Sequence, residues 1–71
     1  MMDLVTEINT DDLNLVVLKV REYNNGISTS DLIDEFKVEE GFDAEKVREL
    51  VRASFQKGVL ILGDRMRLYA A

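Results

Sequence analysis

The segment from Asp43 to Tyr69, DAEKVRELVRASFQKGVLILGDRMRLY, decides the fold. Asp43 is a good N-cap, because its carboxylate can accept from an unpaired N–H of a first helical turn. Val47, Leu50, Val51, Ser54 and Phe55 then recur at the spacing of an amphipathic helix. Lys57 in the last turn and Gly58 just beyond suit a helix stop. The pattern predicts a helix over 44–57. Val59 to Leu62 has strand character, and Gly63-Asp64 reads as a tight turn. Arg65-Met66-Arg67-Leu68-Tyr69 alternates charged with apolar residues, as a strand with one buried face does. A lone hairpin is marginal in water, so these two strands must pack on helices.

Two further helices precede this unit. Thr10 can cap a helix over 11–23, with Asp11 and Asp12 at the positive end of its dipole. Its apolar stripe is Leu13, Val16, Val17, Val20 and Tyr23, and Asn24-Asn25-Gly26 ends it. Gly26-Ile27-Ser28 is an extended bridge, in which Ile27 could add a short third strand. Ser28 and Asp31 resemble a capping pair for a helix over 29–38 with the apolar face Leu32, Ile33 and Phe36. Gly41 marks its exit. Helix, short strand, helix, turn, helix, hairpin is the winged-helix order. The expected fold is therefore α+β: a three-helix winged helix-turn-helix with a C-terminal two-stranded β-hairpin wing. One domain over 1–71 is expected, with residues 1–9 as an N-terminal extension packing on the first helix.

The phrase Gly41-Phe42-Asp43-Ala44-Glu45-Lys46-Val47, then Leu50-Val51, then Gly58-Val59-Leu60, resembles winged-helix families. It looks most like the small winged-helix domain at the C-terminal end of archaeal minichromosome maintenance helicases. The resemblance spans Gly26–Ala71, about two-thirds of the chain, and rests on hydrophobic spacing and glycine placement. It implies the fold. The chain has no helicase ATPase region, so a helicase role would belong to a larger protein or a partner.

Composition narrows the chemistry. Seventy-one residues leave room for one core. The chain has no cysteine and no histidine, which removes disulfides, the usual zinc sites and Cys/His or Ser/His catalysis. It has no Gly-rich phosphate loop and no nucleophile motif. Asp31, Asp34, Glu35, Glu39 and Glu40 cluster around the second helix without the spacing of a calcium loop, and read as a solvated acidic face. An enzyme, a cofactor, a metal and a small-molecule substrate are thus not expected. The longest apolar run, Val59 to Leu62, falls far short of the roughly 20 residues of a membrane helix. With no secretory leader signature either, the expectation is a cytoplasmic protein without a membrane partner.

The charge of −5 opposes strong non-specific binding to nucleic acid. Its distribution says more. Residues 1–43 carry eleven acids and three bases, net −8, whereas 44–71 carry three acids and six bases, net +3. Such polarity suggests a basic end that faces an acidic partner. The candidates for contact with double-stranded DNA are Lys46, Arg48, Arg52, Gln56, Lys57, Arg65 and Arg67. The helix over 44–57 is the one that would enter a major groove, where arginine pairs with guanine or phosphate and glutamine with adenine. Arg65 and Arg67, two apart on a strand, would share one face of the wing. Against this, Glu45–Arg48 and Glu49–Arg52 are i, i+3 pairs that merely support a solvated helix, and the glutamates repel phosphate. Charges on an exposed strand also discourage edge pairing.

A second apolar set, Leu15 and Leu18 with Leu4, Val5 and Ile8, lies off the main stripe of the first helix. Either the N-terminal segment folds back over that helix, or the set is a homodimer interface. Two main functions follow. One is a small DNA-binding protein, a transcription regulator that binds duplex weakly through the helix over 44–57 and the wing, as a monomer or a homodimer. The other is a protein-interaction module of a replication or transcription complex, with little affinity for DNA. A third, an acidic mimic of DNA, is opposed by the basic helix and wing.

Overall fold

Each helix starts at a side chain that satisfies an orphan N–H, and those caps set the order of elements. The computed structural model describes residues 9–71. Within them, α1 (Thr10–Arg21), β1 (Ile27–Ser28), α2 (Thr29–Glu39), α3 (Ala44–Gln56), β2 (Leu60–Leu62) and β3 (Arg67–Ala70) follow in sequence, with a 3₁₀ turn at Asp64–Met66. The Ser28 hydroxyl accepts from the Asp31 amide at 3.1 Å, and the Asp43 carboxylate from the Lys46 amide at 2.8 Å. Both caps are those expected from the sequence.

The first helix differs at both ends. Asn9, not Thr10, is its cap, accepting from the Asp11 amide at 2.8 Å. Thr10 becomes the first helical residue, and both aspartates keep their place at the positive end of the dipole. The helix stops at Arg21, because the Tyr23 amide bonds back to the Val20 carbonyl and tightens the last turn. Gly26, at φ 83°, then turns the chain into β1.

The strands form one antiparallel sheet in the order β1-β3-β2. The short third strand suggested by Ile27 is present. Leu68 of β3 pairs with Ile27 on one side and with Leu62 on the other. Ile27, Leu60 and Leu68 turn their side chains into the core. There they meet Leu13, Val16 and Val20 of α1, Leu32 and Phe36 of α2, and Val47, Leu50 and Val51 of α3. The Phe36 and Phe42 rings stack with centroids 5.7 Å apart. Ser54 is fully buried, and its hydroxyl donates to the Leu50 carbonyl at 2.8 Å, so among the described residues no buried side-chain polar atom is stranded. Phe55 leaves the expected stripe and is partly exposed. The layout is α+β, three helices with a C-terminal β-hairpin wing that gains β1 as a third strand.

The tip of the wing departs from its expected geometry. The ladder continues past Leu62, with the Gly63 amide donating to the Arg67 carbonyl at 2.8 Å. The turn therefore shifts along the chain to Asp64-Arg65-Met66-Arg67, closed by the Arg67 amide on the Asp64 carbonyl. Arg65 and Met66 both sit at φ 60°. Consecutive left-handed residues of this kind match the twist of a hairpin and ordinarily call for Asn-Gly. Gly63 itself answers a different need. A Cβ there would collide with the ring of Tyr69, which lies across it.

Two non-glycine residues in the left-handed region carry strain. Met66→Gly is expected to stabilise the domain by about 0.5–1 kcal/mol, the relief of that strain less the added freedom of the unfolded chain. Thermal unfolding checks this; an unchanged or lowered Tm means that the turn is not strained at Met66.

Candidate nucleic-acid interface

The outward face of α3 is set by its core face. With Val47, Leu50, Val51 and Ser54 buried, Arg48, Arg52 and Gln56 fall at four-residue steps on the exposed side. Glu45 and Glu49 are exposed as well, at the spacing that permits ion pairs with Arg48 and Arg52. Those pairs are not formed. Among the described residues the ion pairs involve Lys19 and Lys46, and none involves Arg48, Arg52, Lys57 or Arg65. Lys57 is exposed at the C-cap of α3, and Arg65 is exposed at the wing turn. Four cations are thus presented to solvent, from α3, its end and the wing, without an ion pair among the described residues.

Two of the seven expected contact residues are occupied elsewhere. Lys46 stands 3.1 Å from the Asp12 carboxylate and 4.2 Å above the Phe42 ring. The first turn of α3 packs beside α1, so its ammonium is held by the protein itself. Arg67 is half-buried and donates to the Gly26 carbonyl at 3.1 Å. β3 lies between the other two strands, which puts the start of β3 against the end of β1. Arg65 and Arg67 therefore do not share a strand face: one caps the turn, the other braces the sheet. Sequence reading could not find Asp12, Phe42 or the Gly26 carbonyl as partners, because each lies on a different element.

The second apolar set separates too. Leu15 packs on the margin of the core, Leu18 is 54% exposed, and Leu4, Val5 and Ile8 lie outside the described residues.

The acidic cluster of α2 is not a purely solvated face. Glu39, Glu35 and Glu22 converge on the ammonium of Lys19 at 2.7, 3.5 and 3.8 Å. The Tyr23 hydroxyl donates to the Glu35 carboxylate. This network ties the end of α1 to α2, while Asp31, Asp34 and Glu40 remain exposed. The hydrogen bond that the Lys19 ammonium donates to Glu39 is the main cause that raises the pKa of Lys19; burial opposes it, and Glu22 and Glu35 reinforce it. The hydrogen bond to Glu35 raises the pKa of Tyr23, since losing the phenolic proton would set two anions side by side, and desolvation acts in the same direction. Among the described residues, no three acids gather as a metal site would need, and no helix is long and apolar enough to cross a membrane.

No family model matches the chain, and no curated protein or solved structure matches it either. What the arrangement offers chemically is anion recognition: guanidinium and ammonium groups on one helix and one turn, with an amide side chain between them. The described residues contain no histidine or cysteine and bury no carboxylate that could serve as a nucleophile or base.

The Lys19 network sets a pH dependence. Both groups have folded pKa values raised above their unfolded ones, so their stabilisation is complete below the unfolded values and is lost as pH rises through the folded ones. Stability is expected to fall above about pH 10, where Tyr23 and Lys19 begin to titrate in the unfolded chain. Lys19→Met should lower the Tm at pH 7 by roughly 4–8 °C, the shift that about 1 kcal/mol produces in a domain of this size. Melting curves from pH 7 to 11.5 on both proteins check this; an alkaline limb of equal depth in Lys19→Met and in Tyr23→Phe would refute the network as its cause.

Proposed function

We propose that the domain binds double-stranded DNA through the exposed face of α3 and the turn of the wing, as a small regulator of transcription. The single observation that carries this reading is the state of Arg48 and Arg52. Each has a glutamate at pairing distance in sequence, and neither is paired among the described residues. Their fork of donors suits phosphate and guanine edges, and Gln56, one turn on, suits adenine. Lys57 and Arg65 add cations beyond the helix. The helix-turn-helix order makes α3 the element that would enter a major groove.

Lys46 and Arg67 are left out of this surface, since Asp12 and Gly26 already hold them. Three or four phosphates would be neutralised, which makes the interaction weak and strongly salt-dependent. A second reading, a protein-interaction module of a replication or transcription complex, draws on the exposed carboxylates Asp31, Asp34 and Glu40 of α2, which would repel a duplex and suit a basic protein surface.

A titration of the ¹⁵N-labelled protein with duplex DNA separates the two. DNA binding predicts shifts confined to residues 44–57 and 63–67, with affinity falling roughly 100-fold between 50 and 200 mM salt. Arg52→Ala should weaken binding by about 5–10-fold and flatten the salt slope by about one unit. An absence of shifts at 50 mM salt, or equal shifts with Arg48→Ala/Arg52→Ala, would reject this surface and favour the protein-interaction reading.

A further inference from the structure

β2 is an edge strand. In the sheet order β1-β3-β2 one of its sides meets β3, and among the described residues no strand lies on the other. The ladder decides which groups face outward. The Ala71 amide donates to the Val59 carbonyl at 3.0 Å, and the Gly63 amide donates to the Arg67 carbonyl at 2.8 Å. Hydrogen-bonded pairs alternate along an antiparallel ladder, so Val59, Ile61 and Gly63 aim their backbone groups at β3. Leu60 and Leu62 aim theirs away from it. The outer edge therefore carries their N–H and C=O groups, and none of these bonds to another backbone group among the described residues.

Sheet edges are ordinarily blunted by a charge, a proline or a bulge, since free backbone groups template pairing with another strand. β2 has none of these. Val59 to Leu62 contains no charged residue and no proline, and its register with β3 runs without a bulge. Its side chains are apolar and open to water: Ile61 is 52% exposed and Leu62 51%. Lys57 precedes the strand and Asp64 follows it; both are exposed, and neither makes an ion pair among the described residues.

We propose that β2 pairs antiparallel with β2 of a second copy of this chain, about a two-fold axis at Ile61, so that the two sheets become one. The edge itself selects the register. With Leu60 opposite Leu62 of the copy, and Leu62 opposite its Leu60, every outward N–H and C=O of both strands finds a partner. An axis at Leu60 or at Leu62 would leave the other leucine beyond the end of the opposing strand. Ile61 then meets Ile61 of the copy as a non-hydrogen-bonded pair, in which side chains stand closest. Tyr69 lies opposite Ile61 in the ladder and extends the apolar row on each side. Leu62 comes to lie beside Leu60 of the copy, so both exposed side chains are covered. Charge agrees with the same occupant. Antiparallel pairing brings Lys57 of each copy to the end where Asp64 of the other stands. A second copy supplies the short apolar strand, the matching edge groups and the opposite end charges together. The contact is small, so the dimer is weak and forms at high protein concentration. This inference does not rest on DNA binding.

The chain has no cysteine, so Ile61→Cys carries a single thiol. In the proposed register two such residues face each other with Cα atoms about 4.5 Å apart, within the span of a disulfide. Met66→Cys is the control, since Met66 is 71% exposed on the same hairpin and lies away from the axis. Each oxidation rate is divided by the rate of the same thiol with a small disulfide reagent, which removes differences in intrinsic reactivity. Ile61→Cys is then expected to form the linked dimer at least about ten-fold faster than Met66→Cys, because pairing holds its thiols together. Sedimentation equilibrium of the full chain without DNA, from about 0.05 to 1 mM, should show the average mass rising above that of the monomer. Ile61→Lys should hold it at the monomer while its amide spectrum stays dispersed. Equal corrected rates for the two cysteine variants would overturn the proposal. So would a monomer mass throughout, or a rise in mass that Ile61→Lys leaves unchanged, since the contact would then lie on another face.

Discussion

The fold turns on the burial of Leu68 at the centre of a three-stranded sheet. It has no exposed surface, faces Ile27 across one ladder and Leu62 across the other, and its side chain enters the cluster formed by the three helices. Because successive strand residues alternate faces, burying Leu68 places Arg67 and Tyr69 on the opposite side of the sheet. Tyr69 then covers Gly63, and Arg67 donates to the Gly26 carbonyl just before β1. Removing such a side chain costs about 2–5 kcal/mol in a well-packed core. In a domain of this size that is a large part of the total stability.

Charge is organised by the same packing. α1 lies against α3 and holds its first turn through Asp12 and Lys46, and it holds α2 through Lys19 and the glutamates around it. The cations nearest the helix contacts, Lys19 and Lys46, are therefore engaged by carboxylates of the protein itself. Among the described residues, Arg48 and Arg52 on α3, Lys57 at its end and Arg65 on the wing are exposed and make no ion pair. The basic side is smaller than the simple sum of charges suggests.

Much of the fold was legible from the sequence because local rules and global packing agree. The caps Ser28 and Asp43, the apolar stripe of α3 and the aliphatic strand before Gly63 each state their structure within a few residues. The first helix was misjudged by one residue at its start, since Asn9 and Thr10 are both good caps and only the backbone chooses between them. The wing turn was misplaced because Gly63-Asp64 is the stronger local signal. It lost to the Gly63–Arg67 ladder bond and to the Tyr69 ring, both of which need the neighbouring strand in place.

The candidate surface divides in the same way. Sequence alone determined which helix face is polar, because periodicity fixes the side opposite Val47, Leu50 and Val51. It therefore determined that Arg48, Arg52 and Gln56 point outward together. Only the tertiary structure decided that Lys46 and Arg67 are taken up by Asp12 and the Gly26 carbonyl, and that Glu45 and Glu49 leave the arginines unpaired. The first two outcomes depend on distances between elements far apart in the chain, and the third on the side-chain rotamers adopted along α3; a one-dimensional pattern carries neither.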